Sequence, residues 1–150
     1  MTEDQQYILD ELCKIVDQEK PDVIVISGDI YDRAVPPVEA VELLDNVLNK
    51  ILLEKHIPII AIAGNHDSPN RISFGSNILK NNGLYIEGKL KRNIRKVSLN
   101  DEFGAVNFYL LPYAEPMEVR SIFENENVHS HNDALKVIVD NIKANMNYDE

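Results

Sequence analysis

Asn65-His66-Asp67 follows Gly64 directly at the end of an apolar run, Ile57 to Ala63. A second apolar run, Val23 to Ile26, ends the same way, in Ser27-Gly28-Asp29-Ile30-Tyr31-Asp32-Arg33. Carboxylate and amide oxygens suit divalent ions such as Mn²⁺ or Mg²⁺, and imidazole suits Mn²⁺, iron or Zn²⁺. A carboxylate at a strand end can bridge two ions. Two ions about 3.5–4 Å apart activate a water and steady both oxygens of a phosphoryl displacement. A histidine left free of metal can protonate the leaving group, and a nearby carboxylate fixes its tautomer. Taken singly, each cluster is also an ordinary polar turn, since Asp after Gly caps turns. Only their coming together points to a metal-dependent phosphoester site.

The elements around the clusters bring them together. Val23-Ile24-Val25-Ile26 is β-branched throughout, which predicts a strand buried on both faces of a parallel sheet. Pro36-Pro37 opens a helix with Val41, Leu44, Val47, Leu48, Ile51 and Leu52 as its apolar stripe, ending near His56. Ile57 to Ala63 is the next buried strand. Such a strand-helix-strand unit makes the two strands parallel and the crossover right-handed. Both polar clusters then lie on the carboxyl edge of one sheet, where ligands of open α/β sheets bind.

The flanks are simpler. Thr2 with Gln5 reads as a capping box for a helix to about Gln18, burying Ile8, Leu12, Ile15 and Val16, with Cys13 as a small core residue. Arg71 to Asn81 predicts a short helix closed by Asn82-Gly83. Leu84–Ile86, Ile94–Val97 and Val106–Leu111 predict strands, with a hairpin turn over Asp101–Gly104. Pro112 and Pro116 break the chain, and a last helix covers about Asn132 to Asn145.

The fold class expected is α/β, in one domain with no linker. At 150 residues and 44% hydrophobic the chain can bury a core. No run of 18 apolar residues is present, so no membrane partner is expected. The polar, acidic N-terminus is unlike a secretory signal, and the lone Cys13 cannot close an internal disulfide; both fit a cytoplasmic location. A net charge of −10 runs against nucleic-acid binding by the whole surface. Lys and Arg bunch only from Lys89 to Lys96, which reads as a solvated basic turn.

GDIYD (Gly28 to Asp32) and GNHD (Gly64 to Asp67) resemble the second and third motifs of the calcineurin-like metallophosphoesterases. The longer strings GDIYDRAVPPVEAV and AGNHDSPNRISF resemble the SbcD-type nuclease subunits of that superfamily. The resemblance implies Asp29 as bridging metal ligand, Asn65 as ligand of the second ion, His66 as the catalytic histidine and Asp32 as the carboxylate that orients it. Arg33 falls where related phosphatases hold phosphate, and Asp67 braces the loop. It also implies two divalent ions, Mn²⁺ before Mg²⁺, and cleavage of DNA, exonucleolytic on duplex ends and endonucleolytic on single strands or hairpins. The partners implied are DNA, an SbcC-type ATPase subunit, and a second copy in a homodimer within a heterotetramer.

The family pattern also has an Asp-x-His before the opening helix and a later Gly-His-x-His, and neither string occurs here. Residues 1–150 are therefore expected to form a partial αββα sandwich lacking its first strand and its C-terminal part. Such a chain should bind metal weakly and have no useful nuclease activity alone. His129-Ser130-His131 has the spacing of a ligand pair but reads as an exposed helix entrance. A phosphatase of the same superfamily and a non-catalytic partner-binding fragment are the rival readings. A nucleotide-binding domain is weaker, because no Gly-rich phosphate loop follows either strand.

Overall fold

The computed structural model describes residues 2–146. Helix α1 (Thr2–Glu19) leads into strand β1 (Ile24–Ser27), and helix α2 (Val38–Asn49) runs on through a π-helical turn, Lys50–Glu54. Strand β2 (Ile59–Ile62) follows, then two single-turn helices, α3 (Pro69–Ile72) and α4 (Ser76–Leu79). Strand β3 (Leu84–Glu87), strands β4 (Lys96–Asp101) and β5 (Gly104–Tyr109), and helices α5 (Pro116–Phe123) and α6 (His131–Ala144) complete the order. This is the mixed α/β class expected.

β1, β2 and β3 form a parallel sheet in that order, while β4 and β5 pair antiparallel. Ser27 is level with Ile62, and Ile62 with Glu87, so all three carboxyl ends share one edge. On one face of the sheet, Ile59, Ala61, Leu84 and Ile86 pack with Cys13 of α1 and with Val47 and Ile51. On the other, Ile60 packs with Val97 and Leu110 from the hairpin region. A third cluster, Leu90, Val119, Val128, Ala134 and Ile138, holds α5 and α6.

Four expectations need correction. β1 is an edge strand with Val25 52% exposed, so β2, not β1, is the strand buried on both faces. α1 buries Val16 but leaves Ile8 and Ile15 more than half exposed and Leu12 partly so. The face turned inward is Leu9, Cys13 and Val16, and the ion pairs Asp10–Lys50 and Asp17–Lys55 hold it against the α2 segment. Apolar residues occupy both stripes of α1, so periodicity could not choose between them.

The helix predicted over 71–81 is instead broken at Gly75, whose φ of +71° is left-handed and open to glycine at little cost. Gly83 does close the segment, also left-handed at φ +85°. Finally, Pro116 does not merely break the chain. It is the first residue of α5, a place where its missing N–H is not needed. Among the smaller matches, Asp101 Oδ1 accepts the Phe103 and Gly104 N–H groups at 2.8 and 2.9 Å, making the expected hairpin turn. Cys13 is buried and free.

Candidate functional site

Two glycines let the loops after β1 and β2 touch. A Cβ on Gly28, at φ +96°, would lie 2.9 Å from the Gly64 Cα, and one on Gly64 would overlap the Asp29 backbone nitrogen and carboxylate. Only hydrogen fits at either place. Asp29 is itself left-handed at φ +47°, a strained conformation for a residue with a side chain.

What holds that strain is Asp67. Its carboxylate is buried and accepts three backbone N–H groups: Gly64 at 2.8 Å, Ile30 at 3.0 Å and Tyr31 at 3.0 Å. One donor lies on its own loop and two on the loop after β1, so Asp67 stitches the motifs together. It braces the site, as its place in the sequence implied. The Tyr31 hydroxyl is held above its ordinary pKa, first by burial and then by the Asp67 charge.

The stitched loops present the predicted residues on the outside. Asp29 Oδ1 accepts the His66 N–H at 3.1 Å, and among the described residues its second oxygen accepts no hydrogen bond. Asn65 is exposed, and its side-chain amide makes no hydrogen bond among the described residues. Asp29 and Asn65 line one cleft of about 410 Å³. His66 is also exposed but stands outside that cleft, with its Nδ1 3.0 Å from the backbone oxygen of Asp32. A carbonyl only accepts, so Nδ1 carries the hydrogen and Nε2 faces outward. The Asp32 carboxylate lies against Arg33 at 3.5 Å instead, both well exposed. It is therefore the main chain of Asp32, not its side chain, that meets His66.

The far wall of the cleft was not foreseen. Tyr113 N donates to Ala63 O at 2.9 Å, which fastens the chain after β5 to the end of β2. Tyr113 and His131 then line the same cleft as Asp29 and Asn65. Their rings lie 5.8 Å apart, and Glu115 joins them, accepting the Tyr113 hydroxyl at 2.6 Å and lying 3.8 Å from His131 Nε2. That hydrogen bond, more than burial, raises the Tyr113 hydroxyl above its ordinary pKa. His129 and His131 flank Ser130, which caps α6 in a reciprocal capping box with Asp133. The helix entrance was legible as such. That its first residue reaches the site was not, since only the fold brings α6 to β2.

Among the described residues no group of three or more His, Cys, Asp and Glu is placed to hold a metal ion. The donors present are nonetheless of one kind. A carboxylate oxygen of Asp29 and the amide of Asn65, both uncommitted, share the cleft, and oxygen donors of this sort suit hard divalent ions. They fit as part of a donor set. A larger hollow of about 510 Å³ lies between α2 and the sheet, but its walls are mainly aliphatic and include none of Asp29, Asp32, Asn65 or His66.

No helix among the described residues is long and apolar enough to cross a membrane. Asp29 follows β1, and Asn65 and His66 follow β2, at the carboxyl ends of adjacent parallel strands. Residues 2–146 match the family model for calcineurin-like phosphoesterases, enzymes that use divalent metal ions, and the chain belongs to that family.

Proposed function

We propose that the chain is the nuclease subunit of an SbcCD-type complex, hydrolysing DNA phosphodiester bonds at the carboxyl edge of its parallel sheet. The observation that carries this reading is the juxtaposition of Asp29, Asn65 and His66 by the Asp67 stitch, within flanks that resemble SbcD-type subunits. Activity on duplex ends and on single strands or hairpins, a homodimer, and an SbcC-type ATPase partner belong to the same proposal.

In it, Asp29 would serve both of two divalent ions and Asn65 would hold the second. These ions, Mn²⁺ before Mg²⁺, supply an activated water and offset phosphate charge when bound. The remaining steps fall to side chains. The Asp32 carbonyl holds Nδ1–H of His66, so Nε2 is the nitrogen whose proton can move. Protonated, it donates to the phosphoryl oxygen or the leaving oxygen. Arg33, two-thirds exposed beside Asp32, is free to swing onto a phosphate.

Two donors are few for two ions, and the chain by itself should hold Mn²⁺ weakly and cut DNA poorly. The test is therefore made on the chain assembled with its ATPase partner, in Mn²⁺, on linear duplex and on a phosphomonoester. Shortening of the duplex that is lost in His66→Ala supports the reading. Turnover of the monoester with the duplex left intact contradicts it and favours a phosphatase.

A further inference from the structure

Along the edge that carries Asp29 and His66, the sheet continues to β3, and there the charge changes sign. Five of the chain's 15 Lys and Arg residues, Lys80, Lys89, Lys91, Arg95 and Lys96, line one hollow of about 680 Å³. Glu87 is the one carboxylate in its wall. In a protein of net charge −10 this gathering opposes the rest of the surface. Lys80 comes just before β3 and the other four come after it, so the two groups flank that one short strand.

The hollow also has a fixed frame. Lys91 is paired with buried Glu87 at 2.8 Å. Arg95 donates to Ile86 O at 3.0 Å and lies 5.8 Å over the Tyr85 ring, which sets its direction. Lys80 and Lys89 are exposed and, among the described residues, make no ion pair. Gly88 has no room for a Cβ, which would overlap Pro69 O and Ser73 Oγ. The loop is thereby pressed onto α3, the helix that begins three residues after His66.

Position links the hollow to the site. Glu87 is level with Ile62, and neighbouring strands lie about 4.8 Å apart. DNA carries one phosphate per about 3.4 Å of axis on each strand. A strand with its scissile bond at His66 therefore brings further phosphates past the end of β3. We infer that this hollow holds backbone phosphates of the DNA beside the scissile bond. The choice of DNA rests on the nuclease reading; the capture of phosphates by ammonium and guanidinium groups does not.

Binding of a fluorescein-labelled DNA duplex to the whole chain, without divalent metal and across a range of salt, tests this. Lys80→Ala with Lys89→Ala should weaken binding on the order of tenfold, equally for unrelated sequences, and lower the slope of log affinity against log salt by about one unit per lysine. Unchanged melting should accompany the loss, since neither side chain makes an ion pair among the described residues. Affinity and slope equal to the parent chain's would overturn the inference, as would displacement of the duplex by equimolar pyrophosphate, which would mark a small-polyphosphate site. DNA that binds through these lysines and stays intact while a phosphomonoester is turned over in the assembled complex sinks the nuclease reading and leaves the hollow standing.

Discussion

The Nδ1 atom of His66 lies 3.0 Å from the main-chain carbonyl oxygen of Asp32. The imidazole is thus oriented by a group that no side-chain substitution removes. Asp32→Ala should keep His66 in its Nδ1–H form, readable in the nitrogen-15 shifts of the ring. A switch to the Nε2–H form in that variant would return the orienting role to the carboxylate. In the assembled complex, loss of His66 itself should cost about 10²–10⁴-fold in rate, and loss of the Asp32 side chain much less.

Asp67 carries more of the site's stability than its neighbours do. Asp67→Ala leaves the Gly64, Ile30 and Tyr31 N–H groups without their acceptor, at a cost on the order of 3 kcal/mol. Urea denaturation measures it, and a loss under about 0.5 kcal/mol, the range of an ordinary surface substitution, would contradict the stitch.

Gly64→Ala puts a methyl group where the Asp29 carboxylate and nitrogen already stand. Relief requires the loop after β1 to move, for about 1–3 kcal/mol of overpacking strain. Amide shift changes should centre on residues 28–32 rather than on β2, and an unperturbed Asp29 signal would show the contact to be looser than described.

The entrance to α6 is pH-sensitive. Asp133 titrates below its ordinary 3.8, chiefly through the Ser130 hydroxyl and then the His129 N–H. A lowered folded-state value stabilises the fold above the unfolded pKa and is lost as pH falls through the folded one. The α6 amides should therefore show lower protection, relative to their intrinsic exchange rates, below about pH 4, and Asp133→Asn should remove that acid dependence. Ser130→Ala should cost about 1 kcal/mol at neutral pH.

Much of this site is legible in the sequence. β-branched runs ending in Gly, joined by one amphipathic helix, require parallel strands with Asp29 and Asn65 on one edge. That reasoning uses only backbone sterics and apolar periodicity, which act locally. It could not show that Asp32 would serve through its carbonyl, because main-chain atoms carry no residue code. Tyr113 and His131 reach the cleft through one backbone hydrogen bond to Ala63, a long-range contact without a sequence pattern. The stripe on α1 failed for a related reason. Ile8, Leu12 and Ile15 are as apolar as Leu9, Cys13 and Val16, so the local pattern leaves the choice to tertiary packing.

Titration of the chain with Mn²⁺ under NMR observation tests the central claim, that Asp29 and Asn65 are metal donors, most directly. Paramagnetic broadening should begin at residues 28–30 and 64–66, at concentrations that mark weak binding, and Asp29→Ala should abolish it there. Broadening that starts elsewhere, or that survives unchanged in Asp29→Ala, would contradict the assignment of the metal centre to these two strand ends.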